Sequence, residues 1–173
     1  NVPVDCKIIY TTKNFTNDYT ISKNFSLGML IDGGVNGKHK LVDQILKDSP
    51  NSAERVFTVQ EIVCNLKGLC ENVLEKIINL YPSMIITSGF RRPGDVAKSS
   101  ATSQHYLGQA ADIVIPGFSR QKHYEAIQAI QKVVPYDELI LEYSGGNTVW
   151  IHVSFKYTAN RQLAFTMRDH ARY

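Results

Sequence analysis

The sequence contains no apolar run that approaches the ~20 residues needed to cross a bilayer, so we expect no membrane span. Its lysines and arginines are scattered and its formal net charge is only +3, whereas nucleic-acid binding favours a clustered basic stripe with interleaved aromatics. Internal repeats and low-complexity tracts are also missing. The apolar fraction of 43% and the charged fraction of 20% are those of an ordinary soluble globular protein.

Cysteine is scarce as well. Cys6, Cys64 and Cys70 match no metal-binding spacing. Cys64 and Cys70 lie six residues apart on one predicted helix, on roughly opposite faces, so they cannot bridge each other. We therefore expect all three cysteines to be small buried hydrophobic residues.

The length of 173 residues predicts a single domain over 1–173. Within it, residues 1–20 would form an N-terminal extension or an edge strand, with the strand at Lys7–Thr12. The chain begins with Asn1 instead of Met, which indicates a fragment or a processed product. A removed signal peptide and a missing upstream domain both stay open.

Two segments have the apolar spacing of amphipathic helices. The first runs from about 59 to 80, with a capping box of Thr58 and Glu61 at its start and Tyr81-Pro82 at its end. Its apolar residues form a stripe that is expected to face the core: Ile62, Leu66, Leu69, Val73, Ile77 and Leu80. The second spans roughly 120 to 134, between Ser119 and Pro135, with these residues inward: Tyr124, Ile127, Ile130 and Val134.

The other segments predict mainly strands, at Met84–Ser88, Ala110–Ile115, Glu138–Tyr143 and Val149–Phe155. Residues 144–148 would join the last two as a hairpin loop. Shorter features are a turn-containing element at Ile21–Leu30, a loop at Asp32–Lys38 and a helix at Lys40–Leu46. Met167–Tyr173 would be a tail, either free or partly docked. The mixture predicts an α+β fold with a mainly antiparallel sheet flanked by helices.

Two strands carry ionisable residues that a structural role explains poorly. Asp112 heads the apolar run Asp-Ile-Val-Ile, although aspartate is depleted in strands. His152 interrupts an alternating run in which the apolar residues share one face, so Trp150, His152 and Ser154 share the other. A polar face backed by a hydrophobic one is typical of the wall of a site.

His105 completes a candidate metal site. It lies seven residues before Asp112, an odd offset, so the two side chains can meet only if the chain turns between them. Gly108 would permit that turn. Two imidazoles and one carboxylate, from His105, Asp112 and His152, suit Zn²⁺ and leave a fourth position for water. The remaining histidines, His39, His123 and His170, lack partners at ligand spacing and are expected to be solvated.

A general base is also needed, and Glu142 is the candidate. If the hairpin loop has five residues, Tyr143 faces Val149, Glu142 faces Trp150 and Ile140 faces His152. Opposed residues share a face of the sheet, so Glu142 would join His152 on the site face. Glu138 has the same parity and is the fallback base.

The combined pattern resembles a known family. Ser-x-His-x-x-Gly-x-Ala-x-Asp at 103–112, followed by Trp-x-His at 150–152, is similar to the zinc D-Ala-D-Ala carboxypeptidases and related peptidoglycan endopeptidases, including phage lysins. The segment Ser88-Gly89-Phe90-Arg91 resembles the Ser-Gly-Tyr-Arg segment of those enzymes. The resemblance covers about residues 84–155, the expected catalytic core, and implies a hedgehog-like metallopeptidase fold.

The resemblance also implies roles for individual residues. It makes His105, Asp112 and His152 the zinc ligands, places Arg91 at the substrate or its oxyanion, and places Ser103 at the substrate pocket. Trp150 is expected to form a wall of that pocket. Some family members place the catalytic glutamate three residues before the last histidine, but here that position is Val149, so the base must come from upstream.

Together with these residues, the resemblance implies a zinc metallopeptidase that cleaves peptide bonds in the stem or cross-link of bacterial peptidoglycan. Such a protein would act in the cell wall or periplasm, secreted or delivered by a phage, as a monomer or as part of a larger virion or wall-associated protein. One alternative is a catalytically silent binding module that keeps the fold and the metal. Another is a phage structural protein whose peptidase domain helps the tail through the wall. The bond that is cut stays open.

Overall fold

The computed structural model describes residues 16–31, 59–92 and 100–172. These residues form an α+β fold with a two-stranded antiparallel sheet and a mixed six-stranded sheet. The small sheet pairs β1, Thr20–Ser22, with β2, Phe25–Ser26, and leads directly into a short helix, α1, at Leu27–Ile31. The element with a turn that the sequence predicts over 21–30 is therefore confirmed.

Three predictions for the N-terminal part of the chain fall outside the described residues. They are the strand at Lys7–Thr12, the loop at Asp32–Lys38 and the helix at Lys40–Leu46. Thr58, the first half of the predicted capping box, also lies outside them.

The long predicted helix is confirmed as three successive helical segments. They are α2 at Val59–Leu69, a π-helical turn at Cys70–Leu74, and α3 at Glu75–Leu80. The predicted stripe is buried from Ile62 to Ile77, but Leu80 is 43% exposed because it is the last helical residue and lies beyond the packed part. In the part of the chain that the structure describes, no helix has the length and apolarity needed to cross a membrane.

The prediction for the cysteines is wrong for one of them. Cys70 is a free, fully buried thiol, and burial raises its pKa. Cys64 is equally buried but is disulfide-bonded. The helical spacing excluded only a bridge between these two residues and left a bridge to a distant cysteine open. Cys6 lies outside the described residues.

The second predicted helix is α4, Arg120–Gln131, and it ends three residues earlier than expected. Ser119 caps it, since its Oγ accepts a hydrogen bond from the Lys122 N–H at 3.1 Å. Ile127, Ile130 and Val134 are buried as predicted, but Tyr124 is 44% exposed.

His123 takes the inward position next to Tyr124, so its expected exposure to solvent is wrong. Its side chain is fully buried. Nδ1 lies 2.9 Å from the Ser119 carbonyl oxygen, to which it donates, and Nε2 accepts from the Ile115 N–H at 3.0 Å. Burial of a histidine is tolerated here because both ring nitrogens are hydrogen-bonded. His170 is exposed, as predicted, and His39 lies outside the described residues.

The large sheet has the strand order β3-β4-β6-β5-β7-β8. The strands are β3 at Ile85–Ser88, β4 at Ala110–Val114, β5 at Glu138–Tyr143, β6 at Val149–Ser154, β7 at Leu163–Arg168 and β8 at Ala171–Arg172. All four predicted strands are present within one residue of their expected bounds. Neighbouring strands are antiparallel, except that β5 and β7 are parallel.

The segment expected to be a C-terminal tail is part of the large sheet: Met167 and Arg168 end β7, and β8 follows after a two-residue turn. The β7 strand pairs with the side of β5 that β6 leaves open. Backbone groups along that side of β5 provide the hydrogen bonds, so pairing depends little on the composition of the last residues.

One face of the large sheet is apolar and the other carries ionisable residues, as the alternation of residue types along the strands predicts. Its core face packs into the hydrophobic core through Ala111, Ile113, Leu139, Leu141, Ile151 and Val153. The opposite face carries Asp112 on β4, His152 on β6, and Glu138 and Glu142 on β5. We call this second face the site face.

Candidate metal centre

The three predicted metal ligands converge. One ligand atom from each of His105, Asp112 and His152 lies within 4.8 Å of the other two, and all three residues are buried. Among the described residues this is the only group of this kind. The group could hold a metal ion.

Sheet pairing and one turn bring the three side chains together. Asp112 and His152 are direct partners across β4 and β6. His105 lies on a 3₁₀ turn, Gln104–Leu107, that ends at Gly108. Gly108 has φ of 71°, and a Cβ there would lie 2.7 Å from the Ile62 carbonyl oxygen, so the position requires glycine on both counts. The turn that the sequence predicts at Gly108 is therefore confirmed.

The ring of His105 is oriented by a backbone carbonyl. Nδ1 lies 2.8 Å from the Gly89 oxygen, to which it donates, so Nε2 keeps its lone pair. Nε2 then lies 3.4 Å from Asp112 Oδ1. Gly89 itself is packed so closely that a Cβ there would lie 2.2 Å from the Leu30 carbonyl oxygen. A hydrogen bond that fixes one ring nitrogen and frees the other is usual for metal-ligating histidines.

Asp112 uses its two oxygens differently. Oδ1 faces both imidazoles, at 3.1 Å from His152 Nδ1 and 3.4 Å from His105 Nε2. Oδ2 pairs with the Arg91 guanidinium at 2.5 Å, and Arg91 Nε also donates to Ser88 Oγ at 2.7 Å. Donor atoms of a tetrahedral zinc site lie about 3.3 Å apart, given metal–ligand bonds of ~2.0–2.1 Å. The two separations from Oδ1 are close to that value, so these donor atoms could share one metal ion.

The pKa values reflect this close packing. Burial would raise the pKa of Asp112, but its close contacts with His105 and His152 hold it far below its usual range. Burial would lower the pKa of His152, yet the carboxylates of Asp112 and Glu138 raise it to about 9. Burial lowers the pKa of His105. A cation that binds His152 Nδ1 must therefore displace a proton, which makes binding pH-dependent.

Glu138, the fallback base, contacts a ligand. Its Oε2 lies 3.5 Å from His152 Nε2, and its Oε1 accepts from Arg161 Nη2 at 2.8 Å. Nε2 is buried and has no well-formed hydrogen bond among the described residues. The contact with His152 lowers the pKa of Glu138.

Glu142 stands in the predicted register. It is opposite Trp150, while Ile140 is opposite His152 and Tyr143 is opposite Val149. Ser144–Thr148 forms the five-residue loop, closed by a hydrogen bond from the Ser144 N–H to the Thr148 carbonyl at 3.1 Å. Burial raises the pKa of Glu142, and Asp112 adds to that effect, whereas His152 and a hydrogen bond with Trp150 oppose it.

Two serines have structural contacts beside the centre. Ser103 Oγ accepts from the His105 N–H at 3.3 Å and caps the turn that carries the ligand. Ser154 is fully buried, and its Oγ accepts from the Glu138 N–H at 2.9 Å. Trp150 is half-buried on the site face.

Sequence reasoning missed Asp137, whose side chain is fully buried. Arg161 donates to it from the backbone N–H at 2.9 Å, from Nε, and from Nη2 at 2.7 Å. Lys156 Nζ lies 3.2 Å away and Gln104 Nε2 donates at 3.0 Å. These residues are distant in sequence and follow no common spacing, so no local pattern could have signalled the cluster.

Comparison of the sequence with protein-family models and with curated proteins finds no match.

Proposed function

We propose that this protein is a zinc-dependent peptidase that hydrolyses peptide bonds in bacterial peptidoglycan, as a D,D- or L,D-carboxypeptidase or an endopeptidase. The observation that carries the proposal is the convergence of His105, Asp112 and His152 in one buried group. These are the residues to which the sequence resemblance assigns the metal. The substrate class rests on that resemblance alone.

The donor set favours zinc. Two imidazole nitrogens and one carboxylate oxygen are borderline ligands, and three protein ligands are usual for catalytic zinc. A bound zinc ion would supply Lewis acidity toward the scissile carbonyl and would lower the pKa of a water molecule to about 7. The chain contributes the spacing around Asp112 Oδ1 and the Gly89 carbonyl that presents His105 Nε2.

Glu142 is the proposed general base. Its carboxylate lies on the site face, two residue pairs along the strands from His152, and its pKa is raised by burial. A raised pKa makes the carboxylate a better proton acceptor and the acid still competent to return the proton. Glu142 thus takes a proton from the attacking water and passes it to the departing amine, which leaves in neutral form.

Arg91 and Trp150 are proposed to contact the substrate. Arg91 places a positive charge beside the ligand Asp112. A cation there would stabilise the negative charge that develops on the carbonyl oxygen of a bound substrate. Trp150, half-buried opposite Glu142, would provide an apolar wall for the peptide. Ser103, at the start of the turn that carries His105, would line the same pocket.

The proposed place of action is the bacterial cell wall, reached by secretion or by phage delivery. The disulfide at Cys64 supports this, because structural disulfides persist mainly in oxidising compartments outside the cytosol.

Mass spectrometry of purified peptidoglycan after digestion tests the proposal. The zinc-loaded protein is expected to release peptide fragments whose new termini identify the bond that is cut. EDTA should abolish the release, and added zinc should restore it. A catalytically silent binding module would instead bind the wall material and release nothing, with or without metal.

A further inference from the structure

We propose that Arg161 is a positioning residue for the candidate metal centre: it clamps Glu138 so that Glu138 orients the imidazole of His152. The inference deepens the proposed function and rests on it, since it concerns how the same centre is held. It also assigns different roles to the two nearby glutamates.

The contacts form a short relay. Arg161 Nη2 donates to Glu138 Oε1 at 2.8 Å, and Glu138 Oε2 lies 3.5 Å from His152 Nε2. One oxygen of the carboxylate is thus held in place while the other points at the ring. Removal of the guanidinium frees the carboxylate to rotate away from His152.

The ring of His152 needs such a partner. Its Nδ1 lies 3.1 Å from Asp112 Oδ1, so Nδ1 is the nitrogen that faces the other ligands. A cation can bind Nδ1 only when the ring proton is on Nε2. Nε2 is buried and lacks a well-formed hydrogen bond among the described residues, so Glu138 is the acceptor in place for that proton. A carboxylate behind a ligating histidine fixes its tautomer and orientation.

Arg161 is itself held rigidly. The fully buried carboxylate of Asp137 accepts from its Nη2 at 2.7 Å and from its Nε at 3.1 Å. Asp137 also accepts from Gln104 Nε2 at 3.0 Å, and Gln104 directly precedes His105. One buried aspartate therefore links the turn that carries His105 to the arginine that holds Glu138 beside His152.

The relay separates the roles of the glutamates. Both carboxylate oxygens of Glu138 are engaged, one by Arg161 and one by the ligand ring, so it has little freedom to shuttle a proton. Glu142 lies on the same face without an arginine clamp among the described contacts. Glu138 is the positioning carboxylate, and Glu142 is left as the base.

The matched comparison is Arg161→Met against Lys156→Met. Both cations pair with Asp137, but among the described contacts only Arg161 also reaches Glu138. The Arg161 side chain is 48% exposed, so its truncation opens no core cavity. We expect Arg161→Met to weaken zinc binding about tenfold or more, as loss of outer partners of a metal site does. The zinc affinity of Lys156→Met should stay within about twofold of that of the wild type, since this variant keeps the contacts of Arg161 with Glu138 and of Glu138 with His152. Competition with a chromophoric chelator measures both affinities.

A double-mutant cycle with Glu138→Ala shows whether Arg161 acts through Glu138. In the Glu138→Ala background, Arg161→Met is expected to have no further effect on zinc affinity. Thermal melts of the metal-free variants check folding. Arg161→Lys keeps the charge but lacks the planar guanidinium that bonds both carboxylates, so it should also weaken zinc binding. It replaces Arg161→Met if that variant does not fold.

The outcomes are distinct. Equal zinc affinities of the Arg161→Met and Lys156→Met proteins, or additive effects in the cycle, would contradict the positioning role of Arg161. They would not contradict the metal centre itself. A wild-type protein that binds no zinc would overturn the proposed function itself. A Glu138→Gln protein with normal zinc affinity and a lost kcat would make Glu138 the base and also overturn the relay.

Discussion

Asp112 lies directly opposite His152 on neighbouring antiparallel strands, and its Oδ1 is 3.1 Å from Nδ1 of the imidazole. The pairing of β4 with β6 thus creates two of the three candidate ligands in contact. A register slip of one residue would turn either side chain toward the hydrophobic core. The core residues Ile113 and Ile151, which pair one step along, therefore also fix the geometry of the centre.

Glu142→Gln is expected to lower kcat at least about 100-fold, because an amide cannot accept the proton of the attacking water. Zinc content and thermal stability should remain near wild type, since Glu142 is not a ligand. Steady-state release of peptidoglycan fragments measures the effect. Glu125→Gln, at an exposed position on α4, is the control. A Glu142→Gln protein with wild-type kcat would remove Glu142 from the mechanism.

The acid limb of the activity should lie above the ordinary glutamate pKa of 4.5, because burial raises the pKa of Glu142. The carboxylate is the active form of the base, so activity falls as the pH drops through the raised value. A pH profile of kcat on the zinc-saturated protein measures this limb. A limb at or below 4.5 would contradict the role of Glu142 as a base with a raised pKa in the zinc-bound protein.

Asp137→Asn should destabilise the protein most at neutral pH. Burial would raise the pKa of Asp137, but its hydrogen bonds with Arg161 lower it from 3.8 to about 2. The folded state therefore gains stability above pH ~4 and loses it as the pH falls toward 2. The lowering of the pKa on folding, from 3.8 to about 2, corresponds to about 2 kcal/mol of unfolding free energy at neutral pH. Urea unfolding at pH 7 and at pH 3 should show a smaller gap between wild type and variant at pH 3. An equal gap at both values would mean that Asp137 contributes no charge-dependent stability.

Gly108→Ala and Gly117→Ala form a matched pair that tests the turn before β4. Both residues have positive φ. A Cβ at Gly108 would lie 2.7 Å from the Ile62 carbonyl oxygen, whereas a Cβ at Gly117 would have no other atom within 4 Å. Gly117→Ala should cost only the left-handed strain, about 1–2 kcal/mol. Gly108→Ala should cost more and should also weaken zinc binding, because the turn carries His105.

Equilibrium unfolding and chelator competition on both alanine variants provide the comparison. Equal losses of stability would show that the close approach of α2 to Gly108 does not add to the cost of the substitution.

Much of the site could be predicted from the sequence because strand periodicity is strict. Alternation over Val149–Ser154 placed His152 away from the core, and the length of the hairpin loop fixed Glu142 opposite Trp150. The turn at Gly108 followed from the odd offset between His105 and Asp112. Each of these inferences used neighbours in the sequence or a single tight loop.

The remaining features depend on partners that are distant in the sequence. Asp137 and Arg161 are 24 residues apart, and nothing local marks them as a pair. His123 is buried because two backbone groups satisfy its ring, and helical periodicity does not record those contacts. The parallel pairing of β7 with β5 and the disulfide at Cys64 are likewise set by tertiary proximity.

Zinc binding by the wild-type protein, by His152→Ala and by the exposed control His170→Ala tests the account most directly. Metal-free protein is titrated with zinc, and bound metal is measured by competition and by elemental analysis. Wild type and His170→Ala should each bind a single zinc ion per chain, and His152→Ala should lose it. Retention of zinc by His152→Ala at wild-type affinity, or its absence from the wild type, would contradict the claim that these three side chains form a metal centre.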